Sequence, residues 1–167
     1  MNKKQVTAFL KVMGKDKDRK ILMNAKVDRY NNELCLVATN GLLFAVVFID
    51  SDADILEGKL IRRDALEKWA KLATGRSRLT GAELVTVSAD DYADHNGYNE
   101  DEYPEWRHII PTGKAEGQQQ MIFNAELFKV IQDLDGEDRL VATLYGAVKP
   151  MTVRTERGIY IAMPMYK

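Results

Sequence analysis

Cysteine and histidine are scarce in this chain of 167 residues, and their scarcity excludes several kinds of chemistry. The single cysteine, Cys35, allows no disulfide within the chain and no cysteine-based metal site. It lies in the alternating run ELCLVAT, so we interpret it as a buried strand residue that packs as a small hydrophobic group. The two histidines, His95 and His108, are not spaced as a pair of metal ligands.

Catalytic motifs are also missing. The chain has no phosphate-binding loop, no dinucleotide fingerprint and no nucleophile elbow. The best metal candidate is DDYADHNGYNEDE at 90–102, but as a calcium loop it would place Tyr92 and Tyr103 at end positions that need acidic ligands. We therefore expect a protein that is not an enzyme and holds neither a metal nor a cofactor. A small hydrolase or nuclease using the carboxylates of 90–105 is kept as a third hypothesis.

Long apolar segments are absent too. No uncharged apolar run approaches the length of about 18 residues that a membrane-spanning helix needs. The N-terminal segment MNKKQVTAFLKVMGKDK lacks the apolar core and the cleavage site of a secretory signal. Because 46% of the residues are hydrophobic, the chain can bury a substantial core. We expect a compact cytoplasmic protein with no membrane partner.

The charge is nearly balanced overall but unevenly distributed. The net charge is −1, yet residues 1–20 carry seven basic side chains against two acidic ones, and residues 59–78 repeat that balance. Residues 90–105 hold seven acidic side chains and no lysine or arginine. This polarity predicts one surface that can meet phosphates and another that repels them.

Three amphipathic segments predict helices. The first starts near residue 4, stops at Gly14, and has one apolar side and one basic side. The second is DALEKWAKLA. The third is AELFKVIQDL, between Asn124 as N-cap and Gly136 as C-cap. The apolar side chains expected to face inward are Val6, Phe9, Leu10 and Met13 in the first helix, Leu66, Trp69, Ala70 and Ala73 in the second, and Leu127, Phe128, Ile131 and Leu134 in the third.

Strands are expected between these helices. KILMNAKVDRY, NELCLVAT and LLFAVVFID are separated by Asn31-Asn32 and Asn40-Gly41, which are pairs that tolerate positive φ. KLIRR, AELVTVSA, QQMIF, RLVATLY, PMTVRTE and GIYIAMP are further predicted strands, with Arg157-Gly158 as a hairpin turn. Helix starts spaced by about 60 residues suggest a repeated unit, and an α+β fold with helices covering one face of antiparallel sheets.

Three short segments together carry a family resemblance. VATNGLLFA at 37–45 resembles the Ala-Thr-Asp-Gly-His-Arg-Leu-Ala turn of bacterial DNA sliding clamps, the beta subunits of DNA polymerase III. YPEWRHIIP at 103–111 resembles their Phe-Pro-Asp-Tyr-Arg-Arg-Val-Ile-Pro element, and YIAMPM at 160–165 their Met-Pro-Met tail. The resemblance implies a clamp-like fold of three units, with 1–112 similar to the middle clamp domain and 113–167 similar to the second half of the last.

The resemblance also implies a binding groove for short, mainly hydrophobic peptides. Matched by position, the floor would use Leu22, Thr39, Gly41, Leu43 and Phe44, the wall Pro104, His108 and Ile109, and the rim Ile161, Met163, Pro164 and Met165. Methionines flanking a proline would give an adaptable apolar surface. Leu42-Leu43 replaces the His-Arg pair of the family, so the base of the groove should be more apolar and the peptide preference shifted.

Clamps hold duplex DNA through phosphates, which requires only well-placed basic residues. Here the candidates are Lys4, Lys11, Lys15, Lys68 and Lys71. The leading hypothesis is a reduced sliding clamp that tethers DNA polymerase, clamp loader or repair proteins to DNA, and so small a version would suit a phage or mobile element. Four copies of a chain with three units could close a homo-oligomeric ring. The alternative is an adaptor or decoy that captures clamp-binding peptides without encircling DNA.

Overall fold

The computed structural model describes five stretches of the chain, 1–49, 51–89, 103–112, 123–146 and 149–165. The acidic segment 90–102, which contains the calcium-loop candidate, lies outside them. Most of the predicted strand QQMIF also lies outside the described residues.

Within the described stretches, seven strands form a single antiparallel sheet. Their bounds are β1 Asn24–Tyr30, β2 Glu33–Thr39, β3 Leu43–Phe48, β4 Leu60–Arg62, β5 Ala142–Leu144, β6 Met151–Arg154 and β7 Gly158–Ala162. The order across the sheet is β4-β1-β2-β3-β7-β6-β5. Strands β1 to β4 form one half of the sheet and β5 to β7 the other. The two halves join where β3 pairs with β7, from Leu43 opposite Ala162 to Val47 opposite Gly158. The two predicted domains thus contribute strands to one sheet, and their division at residue 112 stays a prediction.

The turns between strands follow the predicted chemistry. Asn31 and Asn32 both adopt positive φ, 49° and 68°, which gives the tight connection from β1 to β2 its right-handed twist. Gly41 has φ of 88° in the turn before β3. Between β6 and β7 the Thr155 N–H donates to the Gly158 carbonyl at 3.0 Å, so the hairpin is confirmed, but its turn residues are Glu156 and Arg157, one position earlier than predicted, because Gly158 begins β7.

The residues that the structure describes also form four α-helices: α1 Lys3–Val12, α2 Arg63–Leu72, α3 Gly81–Ala89 and α4 Ala125–Asp135. A reciprocal capping box between Asn2 and Gln5 starts α1. Asn124 caps the start of α4, and Gly136 ends it in the left-handed conformation with φ of 85°. The α+β class and the predicted caps of the third amphipathic helix are therefore confirmed.

The prediction of a strand at AELVTVSA was wrong, because this segment forms α3. Its β-branched residues suggested a strand, but a capping box precedes them. The Glu83 N–H donates to Thr80 Oγ1 at 3.2 Å, while the Thr80 N–H donates to Glu83 Oε2 at 3.4 Å. These bonds satisfy backbone donors at the first turn and favour the helix over the weak local preference for a strand.

Three smaller expectations also differ from the structure. The segment Lys17–Met23 is a short 3-10 helix, so β1 begins only at Asn24. Helix α1 ends at Val12, which leaves Lys15 beyond it, exposed on the connecting segment. Phe128 is 36% exposed, and Val130 takes its expected place in the core beneath α4.

The sheet buries both of its faces. The helices cover one face, where Phe9, Leu66 and Ile131 belong to the larger core. A segment that we call the strap, residues 103–111, covers the other face with Tyr103, Trp106 and Ile110, among others. The sheet is therefore a middle layer between helices and strap.

Cys35 lies on the strap side of β2 and is fully buried, as predicted. Burial raises the pKa of its thiol to about 12, so the group stays protonated at neutral pH and is a poor nucleophile. Among the described helices, none is both long and apolar enough to cross a membrane.

Candidate functional site

An apolar surface lies where β3 begins and β7 ends. The Met163 N–H donates to the Leu42 carbonyl at 3.0 Å, which continues the pairing of the two strands by one residue. Leu42 is 58% exposed and Met165 is 52% exposed, while Met163 and Pro164 are half-buried. Two distant parts of the sequence thus combine into one partly open apolar surface, which we call the β3–β7 edge.

The side chains predicted to form the groove floor are distributed over both sheet faces. Because neighbouring strand residues point to opposite sides, Leu43 packs into the helix-side core and is 1% exposed. Phe44 and Ile161 lie on the strap side, paired across β3 and β7, and are also buried. A ligand on the strap side cannot touch the Leu43 side chain.

The remaining predicted floor residues lie near the turn that precedes β3. Gly41 is exposed there, and its N–H donates to Thr39 Oγ1 at 3.1 Å. The Thr39 hydroxyl donates to the Leu43 carbonyl at 3.0 Å and so closes the turn. Leu22, at the end of the 3-10 helix, is half-buried against Gly14.

The strap supplies the residues predicted for the wall. Pro104 and His108 are exposed, and Ile109 is half-buried against the strap-side core. Trp106 anchors this segment and is 1% exposed, with its ring stacked 5.9 Å from that of Phe44. Trp106 was not among the residues predicted for the groove, and Leu42 was predicted only to make its base more apolar. The apolar Leu42 in an exposed turn was the available signal.

The basic candidates for DNA binding lie on the opposite side of the molecule. Lys4 and Lys11 are exposed along α1, and Lys68 and Lys71 are exposed along α2. Because α1 packs against both α2 and α4, these stripes share the outer surface of the helix layer. We call this surface the helix surface.

A cavity of about 540 Å³ opens beside α1. Its lining includes Lys3, Lys4, Lys11 and Arg78, together with Asp133 of α4. The Lys3 ammonium donates to the Ala73 carbonyl at 2.8 Å, so it already neutralises the carboxyl end of α2.

One carboxylate limits the positive charge of the helix surface. Asp133 Oδ1 lies 2.8 Å from Lys129 Nζ and 3.0 Å from Lys4 Nζ. The hydrogen bonds from Lys129 and Lys4 lower the pKa of Asp133, so it is ionised at neutral pH. Lys4 therefore forms an ion pair with Asp133, although its side chain is 68% exposed.

No metal-binding geometry occurs within the described stretches. There is no group of three or more histidine, cysteine, aspartate or glutamate side chains close enough to hold an ion in that part of the chain. His108 stands alone on the exposed side of the strap.

The curved antiparallel sheet with its helices matches the fold of solved bacterial DNA sliding clamps. Solved clamps from Bacillus subtilis and Pseudomonas aeruginosa superpose with TM-scores of 0.65 and 0.66, each at 12% sequence identity. They cover 99% and 100% of this chain. The DNA polymerase III beta subunit of Thermotoga maritima gives a TM-score of 0.60, also at 12% identity and over the whole chain.

The likeness concerns the fold. The chain spans 62% to 66% of the length of these three clamps. No protein-family model matches the sequence. No curated protein matches it either.

Proposed function

We propose that this protein is a non-catalytic, clamp-like platform that binds short hydrophobic peptides at the β3–β7 edge and duplex DNA at the helix surface. The clamp fold across the whole chain is the observation that carries the proposal. The partners would be a DNA polymerase, a clamp loader or repair proteins that carry such peptides. Tethering would act by raising the partner's effective concentration at the template.

The chemistry of the β3–β7 edge supports peptide binding. Thioether side chains at Met163 and Met165 can repack around different apolar ligands, and Leu42 adds an exposed apolar group beside them. The strap adds Ile109 and His108 at its own exposed side. An extended peptide would bury its hydrophobic residues against this set.

A double substitution, Met163→Ala with Met165→Ala, tests the peptide site. We expect it to weaken binding of a labelled hydrophobic clamp-binding peptide by about tenfold or more, since two partly buried side chains are truncated. Met163→Leu with Met165→Leu is the matched control, because it keeps an apolar surface of similar volume. Unchanged affinity of the alanine variant would refute the peptide site.

Exposed lysines support the DNA half of the proposal. Lys11, Lys68 and Lys71 are exposed on neighbouring helices, an arrangement suited to binding that does not depend on sequence. Reversing the charge at Lys4, Lys11 and Lys68 should abolish retention on DNA while peptide binding survives. Equal DNA affinity at low and high salt would contradict this half.

An adaptor or decoy that binds peptides without DNA is the second candidate. The observation that favours it is Asp133, which engages both Lys4 and Lys129 and reduces the positive charge of the helix surface. The native mass, measured by light scattering across a wide concentration range, distinguishes the clamp-like platform from the adaptor or decoy. A tetramer would support a closed homo-oligomeric ring, whereas a monomer at every concentration would favour the adaptor.

A further inference from the structure

One carboxylate of the sheet binds two neighbouring residues of the strap. Asp28, on β1, accepts a hydrogen bond from Trp106 Nε1 at 3.0 Å through Oδ2. Through Oδ1 it accepts one from Arg107 Nη2 at 2.6 Å. The two strap residues are thus bound by the two oxygens of a single side chain almost 80 positions away in sequence.

The surroundings of Asp28 keep this carboxylate charged. Burial alone would raise its pKa, but the Trp106 and Arg29 N–H groups, Arg107 and the Lys26 ammonium together outweigh burial and lower it. The Arg29 N–H donates at 2.8 Å, and Lys26 Nζ lies 3.3 Å away. Because the carboxylate is ionised, the hydrogen bonds that it accepts are charge-assisted. Because the Asp28 side chain is only 12% exposed, these bonds are also largely shielded from water.

Arg107 and Trp106 act as a unit. The Arg107 guanidinium lies 4.8 Å from the centre of the Trp106 ring and also donates to the Arg29 carbonyl at 2.9 Å. Trp106 in turn packs against Phe44, one of the predicted floor residues, and its ring lies 5.9 Å from that of Tyr30. The contact therefore extends from β1 to the strap and from the strap to β3.

Two further hydrogen bonds hold the ends of the strap. The Tyr103 hydroxyl donates to the Val37 carbonyl at 3.1 Å, and Arg154 Nη2 reaches the Pro111 carbonyl at a long 3.5 Å. His108 and Ile109 follow directly after Arg107, between these ends. The two residues that contact Asp28, Trp106 and Arg107, immediately precede them in the chain.

We propose that Asp28 is a positioning residue for peptide binding, because its carboxylate fixes Trp106 and Arg107 and thereby holds His108 and Ile109 in place beside the buried floor. This inference rests on the proposed peptide-binding function and adds to it. Asp28 would not touch the peptide itself. It would act through the strap.

Asp28→Asn is the direct test, since it keeps the shape and removes the charge. We expect the affinity for a labelled hydrophobic clamp-binding peptide to fall about tenfold, the effect of losing one charge-assisted hydrogen bond. Asp64→Asn is the matched control. Asp64 is likewise ion-paired with an arginine, Arg62, but lies at the start of α2 on the helix side, so its substitution should leave peptide affinity unchanged.

A second variant separates positioning from general loss of structure. Arg107→Gln removes the charge of the other partner, whose side chain is 45% exposed. If Asp28 and Arg107 act through the same contact, a variant with both substitutions should bind the peptide no more weakly than whichever single variant binds it less tightly. Additive losses would overturn the proposal. Duplex DNA binding at the helix surface provides an internal control and should not change.

Tryptophan emission reports the strap directly. Trp69 is the only other tryptophan in the sequence, so Trp69→Phe leaves Trp106 as the single emitter. Asp28→Asn in this background should shift the emission to the red as Trp106 loosens. If wild type and Asp28→Asn bind peptide equally, with unchanged emission, the positioning role is refuted. If the wild-type chain binds no peptide, the peptide site is refuted and this proposal with it.

Discussion

Asp133 restrains the positive charge of the helix surface, so its replacement should strengthen DNA binding. The carboxylate holds Lys129 at 2.8 Å and Lys4 at 3.0 Å. Its lowered pKa keeps it ionised across the neutral range, and pH changes between about 6 and 8 will not release these lysines. Asp133→Asn removes the negative charge and frees both ammonium groups.

The magnitude of the gain follows from counting phosphate contacts. Each phosphate neutralised steepens the slope of log affinity against log salt by about 0.9. With Lys11, Lys68 and Lys71 in contact the slope should be about −2.7. Of the two released lysines, only Lys4 is a DNA-binding candidate, on the same helix as Lys11, so the slope should steepen to about −3.6. Between about 50 and 200 mM salt, the variant should therefore lose about 3.5-fold more affinity than wild type, so its advantage is largest at low salt.

Fluorescence anisotropy of a labelled duplex, measured over a salt series, would test this prediction. A gain in affinity cannot arise from unfolding, which makes the direction of the effect informative. Glu126→Gln is the matched control, because it removes one charge from the same helix but breaks no ion pair within the described residues. Adding Lys4→Gln to Asp133→Asn should abolish the steeper slope. Equal slopes for Asp133→Asn and Glu126→Gln would refute the reasoning.

Three further predictions concern stability and reactivity. Gly158→Ala should lower the free energy of unfolding by at least about 2 kcal/mol in chemical denaturation, because its Cβ would lie 2.3 Å from the Val46 carbonyl oxygen, whereas Gly75→Ala meets open space and should be neutral. The Cys35 thiol, with its pKa raised to about 12, should react with a maleimide at pH 8 only after unfolding, and rapid labelling of the folded chain would contradict its burial. Hydrogen peroxide should oxidise the exposed Met165 before the buried methionines, as residue-resolved mass spectrometry would show, and the polar sulfoxide should weaken peptide binding.

Local signals made much of the fold predictable. The Asn31-Asn32 turn, the N-cap at Asn124 and the C-cap at Gly136 each depend on the conformational preference of one or two residues. The same kind of signal existed for α3, where Thr80 and Glu83 have the spacing of a capping box. The β-branched residues further along the segment favour a strand, and the prediction followed them instead of the capping-box spacing.

Long-range contacts could not be derived from sequence patterns. The pairing of β3 with β7 joins segments more than 100 residues apart, and no local preference selects that register. The contact of Asp28 with Trp106 and Arg107 is likewise invisible in sequence, since an aspartate in a strand more often faces solvent. The groove residues were placed by resemblance alone. The separation of Leu43 from Phe44 follows from strand alternation once β3 is known.

The alternation within β3 determines how the two proposed activities can be separated by mutation. Leu43, Ala45 and Val47 face the helix-side core, while Phe44 and Val46 face the strap-side core. A substitution in this strand therefore disturbs the support of both surfaces, and a loss of both activities would say little about either one. Substitutions in the strap or on the outer sides of α1 and α4 change one surface only. Asp28 lies on β1 but faces the strap, and Asp133 lies on α4, so each should affect one surface. Asp28→Asn should weaken peptide binding alone, Asp133→Asn should strengthen DNA binding alone, and a chain with both changes should show both effects at full size.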